Sequence, residues 1–259
     1  MIGFIRFNDL YLIHMDEKQR MLKKVFIAVI YVAVFAGVGT GGYFLFRPTP
    51  VPIIIPPTIY PMEIIWSKTF SAGSDLYSVS AKIKNPNTNF GASNFSYTFY
   101  LYDESNNLLA SPAGESYIWP GESKYIVLGG INLLKNPTKT QLQLGEPVWR
   151  EVKNFKGIAL ALSNMGYGKG QIGSGKSFEI NFSANNDTPY NLAKIDVSSV
   201  VFDGNGSPIA AASTLLENLK SKENRPAGIA WFSSFSGTPD SVDLTITTNL
   251  WETPELIGQ

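Results

Sequence analysis

The longest run of one kind of position along the chain is apolar. Val25 to Phe46 reads VFIAVIYVAVFAGVGTGGYFLF, 22 residues without a charge. A helix rises about 1.5 Å per residue, so about 20 such residues cross the hydrocarbon of a bilayer. The run has no polar face of the kind a surface helix turns to water, and it predicts a transmembrane helix over residues 25–46. Lys18, Arg20, Lys23 and Lys24 precede it, and after Arg47 no lysine or arginine follows until Lys68. This asymmetry predicts that residues 1–24 are cytoplasmic and that the rest stands outside. A cleaved signal peptide is the rival reading, with Ala36-Gly37-Val38-Gly39 as its small residues, but the run exceeds the usual hydrophobic region of a signal. Residues 47–61 (RPTPVPIIIPPTIYP) hold six prolines. Proline fixes φ and favours extended polyproline II, so this segment reads as a semi-rigid stalk.

From Met62 onward the period changes to two. Tyr77, Val79, Ala81 and Ile83 alternate with polar residues until Asn85-Pro86-Asn87 interrupts. Phe95, Tyr97, Phe99 and Leu101 alternate next and end at Asp103-Glu104-Ser105. Such alternation, punctuated by Asn, Pro, Gly and Asp, predicts half-buried antiparallel strands. The order returns about 100 residues on: Phe178, Ile180 and Phe182, an Asn185-Asn186-Asp187 turn, then Ile195, Val197 and Val201 ending in Asp203-Gly204-Asn205-Gly206. Asn85 is matched with Asn185 and Asp103 with Asp203. The reading is a diverged duplication with its boundary near Asn154-Phe155-Lys156, giving sandwiches over residues 62–153 and 157–259, each of six or seven short strands. Trp66, Trp149, Trp231 and Trp251 are expected to fill cores. Ser213–Ser221 (STLLENLKS) reads as a short helical or irregular connection.

Composition removes several chemistries. There is no cysteine and a single histidine, His14, ahead of the apolar run. Disulfides, thiolate metal sites, cysteine nucleophiles and a Ser-His-Asp triad in the body are thereby excluded. Basic and acidic residues number 21 each; the excess of bases lies in the first 24 residues, which leaves the remainder slightly acidic and without an electrostatic footprint for nucleic acid.

Phe99-Tyr100-Leu101-Tyr102-Asp103 spells F-x-L-Y-D and follows Asn85-Pro86-Asn87. The stretch from about Leu76 to Trp149 resembles the FxLYD domain of prokaryotes, and the related group-2 late-embryogenesis-abundant (WHy-type) domains. That resemblance implies an immunoglobulin-like sandwich, often membrane-tethered, with binding or structural roles and no catalytic residues. Asn85, Pro86, Asn87, Phe99, Leu101, Tyr102, Asp103 and Asp203 are accordingly expected to be structural, the proline and the two aspartates shaping strand ends and turns.

Gly170 to Ser177 (GQIGSGKS) matches a phosphate-binding G-x-x-x-x-G-K-[ST] letter for letter. That motif works only where its loop feeds a helix, and here a β alternation follows, so no nucleotide is expected. Asp203-Gly204-Asn205-Gly206 starts like a calcium loop, but the twelfth position is Thr214 rather than glutamate, and a β-turn is the better reading. Glu115, Glu122, Glu146, Glu151 and Asp196 are scattered carboxylates among which no glycosidase pair stands out. An aromatic sugar-binding face would draw on Tyr117, Trp119 and Phe232; Trp231 and Phe235 share parity and should point inward together.

The expected fold is all-β: two tandem immunoglobulin-like antiparallel β-sandwiches preceded by one transmembrane helix. The expected role is a single-pass cell-membrane protein that binds or scaffolds an envelope protein outside the cytoplasm, with no cofactor and no catalysis. The alternatives are a cell-wall or carbohydrate-binding adhesin contacting polysaccharide through Tyr117, Trp119 and Phe232, and a cryptic hydrolase.

Overall fold

The computed structural model describes residues 16–48, 57–153 and 155–257. Expectations for residues 1–15, for 49–56 of the stalk, for Asn154 and for the last two residues lie outside the described residues. Two compact units are divided at Pro57/Thr58.

Among its described residues the first unit contains one helix, α1 (Glu17–Phe46), of 30 residues. It begins ahead of the apolar run because Asp16 caps it, its carboxylate accepting from the Glu17 amide at 2.9 Å, and because the intervening residues are good helix formers. None of its residues is buried, and its length and apolarity suffice to cross a membrane.

The second unit is built on β-strands, and every strand pairing among its described residues is antiparallel. Eight strands come first: β1 (Glu63–Gly73), β2 (Leu76–Lys84), β3 (Phe90–Tyr102), β4 (Leu108–Ala110), β5 (Ala113–Ile118), β6 (Ser123–Asn132), β7 (Lys139–Leu144) and β8 (Trp149–Glu151). They form a β1-β2-β6 sheet and a second sheet centred on β3, with β4 and β5 along one edge and β7 and β8 along the other. Six more follow: β9 (Leu160–Gly168), β10 (Phe178–Asn186), β11 (Leu192–Asp203), β12 (Pro208–Leu219), β13 (Asn224–Trp231) and β14 (Pro239–Thr247). These give sheets β9-β10-β13 and β12-β11-β14. The wiring repeats, with β12 in the place of β4 plus β5 and β14 in that of β7. The short breaks in the first half account for its larger strand number. Ser213–Ser221 is not a helix or a loop; its residues through Leu219 continue β12.

The alternating residues meet as their period requires. Val79, Ala81 and Ile83 of β2 pack against Phe95, Phe99 and Leu101 of β3, all essentially inaccessible. Phe178, Ile180 and Phe182 of β10 pack against Ile195, Val197 and Val201 of β11, and two short 3-10 turns, Leu250–Glu252 and Pro254–Leu256, add Leu250 and Leu256 to that core. Trp231 and Phe235 meet edge to face at 5.6 Å.

A third apolar layer joins the halves. Phe70 and Tyr125, from the β1-β2-β6 sheet, are buried against Val200 and Ala211 of β11 and β12, with Trp66, Val127 and Phe202 around them. The four sheets therefore stack face to face in one unit, and the two sandwiches share a broad contact.

The repeat is most literal at its turns. Asn85 donates from Nδ2 to the carbonyls of Phe90 and Trp119 at 2.6 and 2.8 Å, and its Oδ1 accepts from the Asn87 amide at 3.0 Å. The equivalent residue is Asn186, not Asn185. It donates to the carbonyls of Tyr190, Leu219 and Lys220, and its Oδ1 accepts from the Thr188 amide. The ladders agree: Lys82 opposite Tyr125 becomes Ser183 opposite Pro226, an offset of 101. At the next hairpin the offset returns to 100. Asp103 accepts from the amides of Ser105 and Asn107, and Asp203 from those of Asn205 and Ser207.

Candidate site at the contact between the sandwiches

The residues of the F-x-L-Y-D stretch are spent on the fold. Phe99 and Leu101 lie wholly in the first core, Tyr102 faces the other way beneath the Lys139 ammonium, and Asp103 closes its hairpin. Pro86 stands between Asn85 and Asn87, whose side chains bond each other at 2.9 Å.

The three aromatic candidates are not brought together. Tyr117 is buried, and its hydroxyl donates to Asp196 Oδ2 at 2.7 Å. Trp119 donates its indole N–H to the Thr248 carbonyl at 2.7 Å and meets the Phe155 ring edge-on. Both are turned toward the second sandwich, because the chain around them lies at the shared contact. Phe232 alone is offered to solvent, at 70% exposure. No flat platform of the three exists for a sugar ring.

Gly170–Ser177 is a turn-rich link from β9 to β10, with no helix after it. The Ser177 hydroxyl donates to the carbonyls of Trp231 and Ser233, and Lys176 pairs with Glu179 at 2.6 Å. The elements of a phosphate cradle are thus tied to strand ends.

Where titratable groups do converge is the contact between the halves. Lys124 lies at the start of β6 and is 4% exposed. Its ammonium donates to the Tyr117 carbonyl at 3.2 Å, stands 3.4 Å from the centre of the Tyr117 ring, and lies 3.8 Å from Asp196 Oδ2 on β11. Glu122 is beside it, its Oε2 accepting from the Trp119 amide at 2.6 Å. Burial is the leading influence on the first two groups. It lowers the Lys124 pKa, against the pull of Glu122 and Asp196, and raises that of Glu122, against the pull of Lys124. Burial, and then the Asp196 charge, also push the Tyr117 phenol far up. A second phenol, Tyr125, donates to Asp243 Oδ2 at 2.6 Å, with Lys82 3.8 Å from the same oxygen.

A cleft of about 350 Å³ opens beside this cluster, lined among others by Tyr97, Glu115, Lys124, Asp196, Ser198 and Ser213. A larger, mainly apolar groove of about 610 Å³ lies where β1 begins beside β7, walled by Met62, Ile64, Leu142, Leu144 and Trp149. No group of three or more histidines, cysteines, aspartates or glutamates able to hold a metal ion occurs among the described residues.

Glu122 and Asp196 are both visible in the sequence as scattered carboxylates. What joins them is Lys124, whose parity with buried Ile126 marks an inward-pointing lysine in a strand, a signal that sequence reasoning passed over.

No family model matches the chain, and no curated protein matches it. Among solved structures, the calcium-binding domain CBD12 of CALX1.1 aligns at 9% identity over 60% of this chain and 68% of that one, with a TM-score of 0.19.

Proposed function

We propose that the chain is a single-pass membrane protein whose tandem immunoglobulin-like sandwiches, of the FxLYD kind, stand outside the cytoplasm and bind or scaffold an envelope partner without catalysing a reaction. The observation that carries this reading is α1: it holds a charge-free stretch of bilayer length over residues 25–46, with none of its residues buried and with its cations on the N-terminal side. The body supports the binding part. Among the described residues β9 is an edge strand whose backbone ladder pairs with β10 alone, and it exposes Met165 and Tyr167, so its outer backbone is open to strand addition by an extended segment of another protein.

The chain lacks cysteine, which makes single-cysteine reporters clean. Lys18→Cys and Ser105→Cys would be treated with a membrane-impermeant maleimide in intact cells and after lysis. Labelling of Ser105→Cys in intact cells, with Lys18→Cys labelled only after lysis, is expected. The reverse pattern overturns the orientation, and release of Ser105→Cys into the medium overturns the anchor.

A further inference from the structure

The Lys124 cluster has no part in the proposed binding role, yet it brings an amine and a carboxyl group from opposite sandwiches nearly into contact. Lys124 Nζ lies 3.8 Å from Asp196 Oδ2, an oxygen of the carboxyl group that it would attack. The Tyr117 hydroxyl is pinned to that same oxygen at 2.7 Å, and the Tyr117 ring covers the amine at 3.4 Å. A third ionisable group, Glu122, is held in place by the Trp119 amide.

We propose that Lys124 Nζ condenses with Asp196 Cγ to form an amide that joins the two sandwiches covalently. The step balances without a co-reactant. A proton passes from the Lys124 ammonium to the Asp196 carboxylate, and the neutral amine so formed adds to the carboxyl carbon, forming the C–N bond. The nitrogen gives up a proton to one oxygen of the neutral Glu122 carboxyl as the other oxygen gives its own proton to the departing hydroxyl. The C–O bond then breaks and one water leaves, so Glu122 ends as it began. Nothing is oxidised or reduced. Three features of the site favour the reaction. Burial favours the uncharged forms of Lys124 and Glu122. The Tyr117 hydroxyl donates to the oxygen on which negative charge develops. Asp196 keeps a side chain 40% exposed, which gives the released water a way out.

The test is the mass of the full chain, purified in detergent and digested with trypsin. The expected result is an intact mass lower by about 18 Da, one water. It should be accompanied by a branched peptide joining Asn85–Lys135, uncleaved at Lys124, to Ile195–Lys220. Lys124→Arg, which keeps the charge but cannot condense, should restore the full mass, and Glu122→Gln should do so in whole or large part. Circular dichroism of both variants checks that they fold; if either does not, the branched peptide in the wild type decides alone. Wild-type protein of unmodified mass, with cleavage after Lys124, overturns the proposal and leaves an ordinary ion pair. So does the mass loss without the branched peptide, as cyclisation at Asp203-Gly204 would give.

Discussion

Gly91 of β3 lies so close to Trp251 that a Cβ built on it would stand 2.6 Å from the indole Cη2. The two residues belong to different sandwiches, so the missing side chain is what lets the C-terminal turn settle against the first sandwich. The Ile118 carbonyl, 3.0 Å from the same point, prevents an easy escape. Gly91→Ala is expected to destabilise the body by about 1–3 kcal/mol through overpacking. Trp251→Phe should recover part of that loss in the double variant. Urea unfolding of the four proteins gives the coupling, and additive effects would show that the two do not meet.

Asn85 and Asn186 each satisfy carbonyls at the ends of their strands. Replacing either by alanine strands buried backbone acceptors and an amide, at an expected cost of about 2–4 kcal/mol each. Equal losses in the two variants would confirm that the Asn turn does the same work in both halves. A loss confined to Asn85→Ala would show that the second turn holds without its carboxamide.

Tyr125 is nearly inaccessible and bonded to Asp243 across the shared layer. Tyr125→Phe should cost about 1 kcal/mol, since Asp243 is half exposed and its charge is screened. Burial and the Asp243 bond raise the phenol pKa in the folded state. The unfolded chain therefore loses that proton first, and wild-type stability should fall as pH rises through the ordinary tyrosine range. Unfolding midpoints of Tyr125→Phe should fall less steeply there. Identical slopes would count against the buried bond.

Much of this architecture is legible in the order of residues alone. Period-two alternation locates the four core strands, because a sheet face buried on one side imposes that period on Val79, Ala81, Ile83, Phe99 and Leu101 alike. The shared layer is not legible in that way. Ser78 and Ser80 sit at positions that alternation assigns to solvent, yet they are 7% and 0% exposed, since a second sheet rather than water covers them. β12 escapes a local reading because Leu215, Leu216 and Glu217 are helix formers whose preference the β11 ladder overrides. Nothing in periodicity links Lys124 to Asp196; only the stacking does.

Asp103 offers a check on the hairpins. The Asn107 side chain, and then its backbone amide, hold the Asp103 carboxyl below the usual carboxylate range. Its contribution is therefore present above the unfolded pKa and is lost as pH falls through the lowered one. Asp103→Asn should be less stable than wild type at neutral pH, with the gap closing in acid. Thermal melts across that window test it, and a gap independent of pH would assign the difference to another cause.

Phe232→Ser should leave stability within about 0.5 kcal/mol of wild type, as for an exposed side chain away from special contacts. Loss of saturable co-sedimentation with cell-wall polysaccharide in that variant would revive the adhesin alternative, and no sedimentation in either protein would retire it.

The contact between the halves is heterologous: the β1-β2-β6 face of one copy meets the β12-β11-β14 face of the next, not its own counterpart. Between identical copies such a joint either closes into a ring or propagates as an open-ended polymer. The chain carries its own terminator. At the positions that would present the next joint, Tyr125 and Val127 are replaced by Pro226 and Gly228, which remove the phenol and the bulk that made the first one. The difference between the two halves at these positions thus removes the face on which a further sandwich would stack.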